Sequence, residues 1–247
     1  MKKKIMNVNI NYYFSNISSE KTIVLLHGWG QNIEMMKHIG NKYLNEFNVL
    51  IIDLPGFGES DEPPYSWSIY EYVECIKKLI DYLNIDKIFL IGHSFGGRIS
   101  LIYASIYKVE KLVCLASPYC KEITKLPLKI RIYKKVKKIP RLSWLANIMK
   151  NLIGSSDYKN ASDVMRGILV KSINVEMEEY IKKINCPTLL VWGTNDTAVP
   201  IKRAYELEKL IKDSAVIKYE GASHYAYLER LNNLIPVLDS FFNVRRH

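Results

Sequence analysis

Nowhere among the 247 residues do 18 uncharged apolar residues run together, so no membrane-spanning helix is expected. The basic start, "MKKKIMNVNINYYF", is interrupted by Asn7, Asn9 and Asn11 before any apolar core can form, which argues against a signal peptide. A soluble, cytoplasmic protein is the expectation. Cysteine is scarce and scattered: Cys75, Cys114, Cys120 and Cys186 form no C-x-x-C pair, which argues against a zinc site and a disulfide framework and fits reduced thiols. Acidic residues are nearly missing from one window. Between Lys121 and Lys150 ten Lys and Arg meet a single acid, Glu122, so nine of the ten net positive charges sit there and the remaining chain is close to neutral. A nucleic-acid binder would spread or stripe its charge, and no helix-turn-helix, zinc-finger or RNA-recognition signature accompanies this cluster. Internal repeats and low-complexity tracts are absent as well.

What is present is a rhythm. "TIVLLHG" (22–28), "NVLIIDLPG" (48–56), "KIFLIGHS" (87–94), "KLVCLAS" (111–117), "PTLLVWG" (187–193) and "AVIKYEG" (215–221) are near-continuous apolar runs rich in β-branched residues, the pattern of strands covered on both faces. Between them, 68–85 and 201–213 carry apolar residues at helical spacing. Such alternation predicts an α/β fold built on a doubly wound, mostly parallel sheet, and 48% hydrophobic residues suffice for one core. The N-terminal "IMNVNINYYFS" alternates with period two and predicts an antiparallel edge strand or hairpin. From 119 to 184 no strand-like run occurs, only basic and amphipathic helical segments punctuated by Pro127 and Pro140. The expected organisation is a core of 1–118 and 185–247 with a helical lid inserted at 119–184.

One stretch carries chemistry. Gly92-His93-Ser94-Phe95-Gly96 follows a predicted buried strand and precedes the helical "GRISLIYASIY". A serine in a sharp strand-to-helix turn needs small neighbours two residues away, and G-x-S-x-G supplies them while lifting Oγ above the sheet. A serine hydroxyl at neutral pH is a weak nucleophile, so a base and an acid to orient that base must also be present. His224, in a Gly/Ser-containing loop after the last predicted strand, is the candidate base. Asp196, in the turn-rich "VWGTNDTAVP", is the candidate acid, with a capping role for the helix near Pro200 as its other reading and Glu122 as a rival acid. The backbone N–H groups of Phe95 and of Trp29, in "HGWG", are candidates for an oxyanion hole. His27 reads as a packed residue that shapes this loop, and Asp53 as loop support.

"HGWG", "DLPGFGES", "GHSFGG", "PTLLVWGTNDTAVP" and "GASHYAYLE" occur in the order found in the α/β-hydrolase family, and the chain resembles that family over nearly all its length outside the insertion. The resemblance implies Ser94 as nucleophile, His224 as base, Asp196 as orienting acid, and the Trp29 and Phe95 N–H groups as oxyanion donors. It also implies an apolar pocket, for which Trp29, Phe95, Val199 and Tyr225 are the candidates, and chemistry that requires no metal and no organic cofactor. The activity implied is hydrolysis of carboxylic esters or thioesters through an acyl-enzyme. Carbon–carbon bond hydrolases share the triad, but often have Pro-Gly where this chain has Gln31-Asn32; a non-catalytic binding protein on the same fold is the third possibility. "HGWG" followed by a basic lid is also similar to the esterases that cleave pimeloyl-carrier-protein methyl esters, whose elbow usually has Trp where His93 stands here. The basic segment itself reads either as a solvated face or as a docking site for something acidic, such as an acyl carrier protein, a coenzyme A ester or an anionic membrane surface.

Overall fold

The computed structural model describes residues 1–120 and 161–244. The basic segment, Glu122, Pro127 and Pro140 lie outside the described residues. Eight strands form one sheet: β1 (Lys2–Ile5), β2 (Val8–Ser15), β3 (Lys21–Leu26), β4 (Asn48–Ile52), β5 (Lys87–His93), β6 (Lys111–Leu115), β7 (Thr188–Gly193) and β8 (Ser214–Tyr219). Their order is β1-β2-β4-β3-β5-β6-β7-β8. β1 and β2 form the antiparallel hairpin expected from the period-two N-terminus, and β2 also runs antiparallel to β4. From β4 to β8 every neighbour is parallel.

Side chains of a strand alternate between faces, and here both faces are apolar. Val24, Leu26, Leu90, Leu112 and Leu190 enter one core layer. Ile23, Leu25, Phe89, Ile91, Val113 and Val191 enter the other. The first layer is covered by α2 (Ile69–Tyr82), α3 (Phe95–Ile106), α4 (Asp163–Ile173), α5 (Glu178–Ile181) and α6 (Lys202–Leu210), through residues such as Ile76, Ile99, Ile168, Ile181 and Leu207. The second is covered by α1 (Ile33–Gly40) and α8 (Leu231–Phe242), through Ile33, Met36, Ile39, Leu234, Leu238 and Phe242. A short α7 (Ala226–Glu229) precedes α8. Among the described residues no helix is long and apolar enough to cross a membrane.

This topology fixes where chemistry can sit. β3 lies between β4 and β5, so the chain winds one way from β3 to β4 and the other way from β3 to β5. Such a switch point opens a crevice at the carboxyl ends of the strands. The loops after β3, β4, β5, β7 and β8 all leave the sheet at that edge.

Candidate active site

β5 ends at His93 and α3 begins at Phe95, so Ser94 alone makes the turn, with φ 49° and ψ −108°. A non-glycine residue at such angles costs on the order of 1–3 kcal/mol and persists only where its surroundings hold it. Here the Ser94 N–H donates to the Leu115 carbonyl (2.9 Å), and the Gly96 N–H donates to the His27 carbonyl (3.0 Å). The glycines of the pentapeptide are required by approach. A Cβ on Gly96 would meet the Leu26 carbonyl oxygen at 2.4 Å, and one on Gly92 would meet Ser100 Oγ at 2.4 Å and the Gly96 oxygen at 2.6 Å. α3 therefore docks directly over the ends of β3 and β5.

The loop after β3 is held from two sides. Gln31 closes it as a turn, its N–H donating to the Gly28 carbonyl (3.2 Å) and its Oε1 accepting the Gly28 N–H (2.9 Å). His27, fully buried, accepts the Leu54 N–H at Nε2 (2.9 Å), which leaves its proton on Nδ1 for donation to the Gly28 carbonyl (2.7 Å). Burial lowers its pKa to about 4, so the ring is neutral and structural. Among the described residues, neither the Trp29 N–H nor the Phe95 N–H makes a hydrogen bond. The Phe95 N–H belongs to the first turn of α3, where intrahelical partners are lacking and the helix dipole favours negative charge.

Asp196 and His224 are far apart in the chain and meet across the ends of β7 and β8. His224 Nδ1 lies 2.7 Å from Asp196 Oδ2, and the Asp196 side chain is fully buried while that of His224 is 16% exposed. The other carboxylate oxygen, Oδ1, accepts the N–H groups of Ala198 and Val199, both at 2.8 Å. Oδ1 thus closes the turn at 196–199 while Oδ2 contacts the imidazole; the helix that follows has Ile201 as its N-cap without a side-chain cap, so the helix-capping reading of Asp196 is corrected to a turn-capping one. The His224 carbonyl lies 3.1 Å from Nε2 of His93, and the two rings are 4.9 Å apart, which seats His224 beside the elbow. The Ser94 side chain makes no capping bond to its helix and, among the described residues, no hydrogen bond to His224. Such contacts are often long in unliganded enzymes and close on substrate.

A cavity of about 300 Å³ opens beside the loop after β3, with Trp29, Gly56, Phe57 and Met165 among its apolar walls and Glu62, held by Ser162 (2.7 Å), at its polar margin. Of the four expected pocket residues, Trp29 lines this cavity. Phe95 is buried and packs edge-on against the Trp29 ring, 5.2 Å away. Val199 is buried and accepts a hydrogen bond from Trp192 Nε1 (2.9 Å), and Tyr225 stands 41% exposed next to His224. Met165, Phe57 and Glu62 were not singled out from sequence. Met165 belongs to α4 inside the expected insertion, and its apolar character alone marks only a core residue. Asp53 supports the loops as expected: its carboxylate accepts from the Ile33 N–H (2.7 Å), Asn11 Nδ2 (2.8 Å) and the Glu59 N–H (2.9 Å). A larger cleft of about 740 Å³ lies between the N-terminal hairpin and α1, away from Ser94, Asp196 and His224. Among the described residues no cluster of His, Cys, Asp and Glu is placed to hold a metal ion.

A doubly wound sheet, a serine at a strained strand-to-helix turn and a late Asp–His pair at the same edge define the α/β-hydrolase architecture. Comparison with known proteins agrees: the family described as alpha/beta hydrolase fold matches residues 21–137 and 121–231, and this chain belongs to it. The AB hydrolase superfamily protein YisY of Bacillus subtilis is 25% identical, over 95% of this chain and 96% of its own length. The pimeloyl-[acyl-carrier protein] methyl ester esterase of Aliivibrio fischeri is 24% identical, over 94% and 97% respectively. Among solved structures, the meta-cleavage product hydrolase CumD of Pseudomonas fluorescens superposes with a TM-score of 0.75 at 19% identity, covering 98% of this chain and 97% of that one, a likeness of fold.

Proposed function

We propose that this protein is a serine hydrolase that cleaves carboxylic esters or thioesters through an acyl-enzyme. The reading is carried by the 2.7 Å contact between His224 Nδ1 and Asp196 Oδ2 at the strand edge that also carries the strained Ser94. Ser94 Oγ attacks the carbonyl carbon while its proton passes to Nε2 of His224, and Asp196 holds the imidazole in the required tautomer and stabilises the imidazolium. The oxyanion so formed accepts from the N–H groups of Trp29 and Phe95. Collapse breaks the bond to the leaving alcohol or thiol, which takes the proton from His224. Water then gives a proton to His224 and attacks the acyl carbon, and the second collapse releases the acid and returns the proton to Ser94. No step calls for a metal or organic cofactor.

The cavity beside Trp29 accepts an apolar portion of the substrate, with Phe95, Val199 and Tyr225 bordering the reacting carbonyl. The basic 121–150 segment gives an acidic carrier a docking charge, and turnover of a carrier-protein ester that falls with salt would support this. The test of the catalytic reading is Ser94→Ala. It should abolish p-nitrophenyl butyrate turnover while leaving the circular dichroism spectrum and melting temperature close to wild type. Unchanged turnover removes Ser94 as nucleophile. Turnover of a vinylogous diketone in preference to esters would move the assignment to carbon–carbon bond hydrolysis.

A further inference from the structure

His93 occupies the variable position of the elbow, yet it is only 1% exposed and enclosed by aromatic rings. Its ring centroid lies 4.8 Å from Tyr227, 4.9 Å from His224 and 5.5 Å from Tyr225. Both ring nitrogens face oxygen: Nε2 the His224 carbonyl and Nδ1 the Oε1 of Gln31, each at 3.1 Å. Burial, reinforced by the neighbouring His224, lowers the His93 pKa to about 3, so one proton must serve two oxygens. Gln31 Oε1 already accepts the Gly28 N–H (2.9 Å), whereas the His224 carbonyl has no other donor among the described residues. Leaving the part-buried His224 carbonyl with no donor is the costlier omission, so the proton belongs on Nε2.

The consequence is mechanical. The loops after β7 and β8 are tied to each other: Asn195 N–H donates to the Ala222 carbonyl (2.9 Å), Gly221 N–H to Thr194 Oγ1 (2.9 Å), and Asp196 to His224 as above. Among the described residues, the His93–His224 contact is the hydrogen bond that joins this unit to the elbow segment 92–97. It starts one residue from Ser94 and ends on the backbone of the base.

We propose that His93 is a positioning residue whose Nε2–H, donated to the His224 carbonyl, holds the base in register with Ser94. This rests on the roles given above to Ser94 and His224. A mere core histidine would need only its volume and apolar contacts. The positioning role needs a donor at the Nε2 position, which a glutamine amide reaches and an asparagine amide, standing in for Nδ1, does not.

The test compares the full-length His93→Phe, His93→Asn and His93→Gln variants on p-nitrophenyl butyrate. A displacement of the base by an ångström-scale shift should lower kcat about 10- to 100-fold in His93→Phe and His93→Asn. KM should stay within about threefold, because ground-state binding is untouched. His93→Gln should recover about tenfold or more of the lost kcat. Hydrogen–deuterium exchange of the 222–228 backbone, which needs no turnover, should rise in His93→Phe and return towards wild type in His93→Gln. Wild-type kcat in His93→Phe, recovery in His93→Asn equal to that in His93→Gln, or unchanged exchange in 222–228 each overturns the proposal. If His93→Phe does not fold, the Gln–Asn comparison decides. If the wild type and Ser94→Ala are equally inactive on esters, the catalytic reading fails while the exchange data still judge the His93 tie.

Discussion

Lowering the pH from 7.5 to 5 should destabilise this protein through two imidazoles that the fold keeps neutral. His27 is fully buried and His93 nearly so, and burial moves their pKa values from 6.5 to about 4 and about 3. Both are depressed, so the unfolded chain binds protons that the native state refuses. The stability they permit is whole above about pH 6.5 and is lost as pH falls towards 4 and then 3. At pH 5 each unfolded imidazole is almost fully protonated and each native one mostly neutral, which is about 1.5 pK units, or about 2 kcal/mol, per histidine. Together they remove about 4 kcal/mol, a large part of the roughly 5–15 kcal/mol that stabilises an ordinary domain. Urea unfolding at pH 7.5, 6 and 5 and constant ionic strength measures this. Its slope should approach about 2.7 kcal/mol per pH unit near pH 5, the value for two protons. His93→Gln removes one titrating group and should halve that slope. Equal stability of the wild type at pH 7.5 and pH 5, or an unaltered slope in His93→Gln, would refute the reasoning.

Two further substitutions bear on the elbow and the pair behind it. Gly96→Ala places a Cβ 2.4 Å from the Leu26 oxygen and 2.5 Å from the His27 oxygen, both backbone atoms that cannot swing aside. It should cost on the order of 1–3 kcal/mol by urea denaturation and most of the activity, since α3 must lift off the β3 end. Asp196→Asn keeps an oxygen for the Ala198 and Val199 N–H groups but turns an amide towards His224 Nδ1, reversing the tautomer. On the proposed mechanism a loss of about 10⁴-fold in kcat with near-native stability is expected, the effect of the same change in Ser-His-Asp enzymes.

The legible part of this molecule was what repeats or strains. Runs such as Ile23–Leu26 and Leu189–Trp192 are apolar on both faces because helices cover both faces, and period and composition expose that directly. The elbow was legible because Gly92 and Gly96 answer contacts with backbone atoms, which allow few other residues. The contact between Asp196 and His224 could be anticipated from their places in the loops after the last two strands. What escaped was tertiary. The pentapeptide gives no role to His93, because its partners, the His224 carbonyl and Gln31, lie 131 and 62 residues away. The cavity wall at Met165 escaped likewise, since a methionine on an amphipathic helix looks the same whether it faces a core or a ligand. The predicted strand 48–56 stops at Ile52, where Asp53, legible as a supporting residue, accepts hydrogen bonds from α1, β2 and the loop at Glu59, partners that no local pattern names.

The proposed chemistry requires Ser94 to be an activated nucleophile. Incubating the folded wild-type protein with a fluorophosphonate and mapping the adduct by peptide mass spectrometry tests this most directly. The prediction is a single stoichiometric modification on the peptide carrying Ser94, strongly slowed in Asp196→Asn and absent in Ser94→Ala. A native protein that stays unmodified, or one modified equally fast elsewhere with Ser94 untouched, would contradict it.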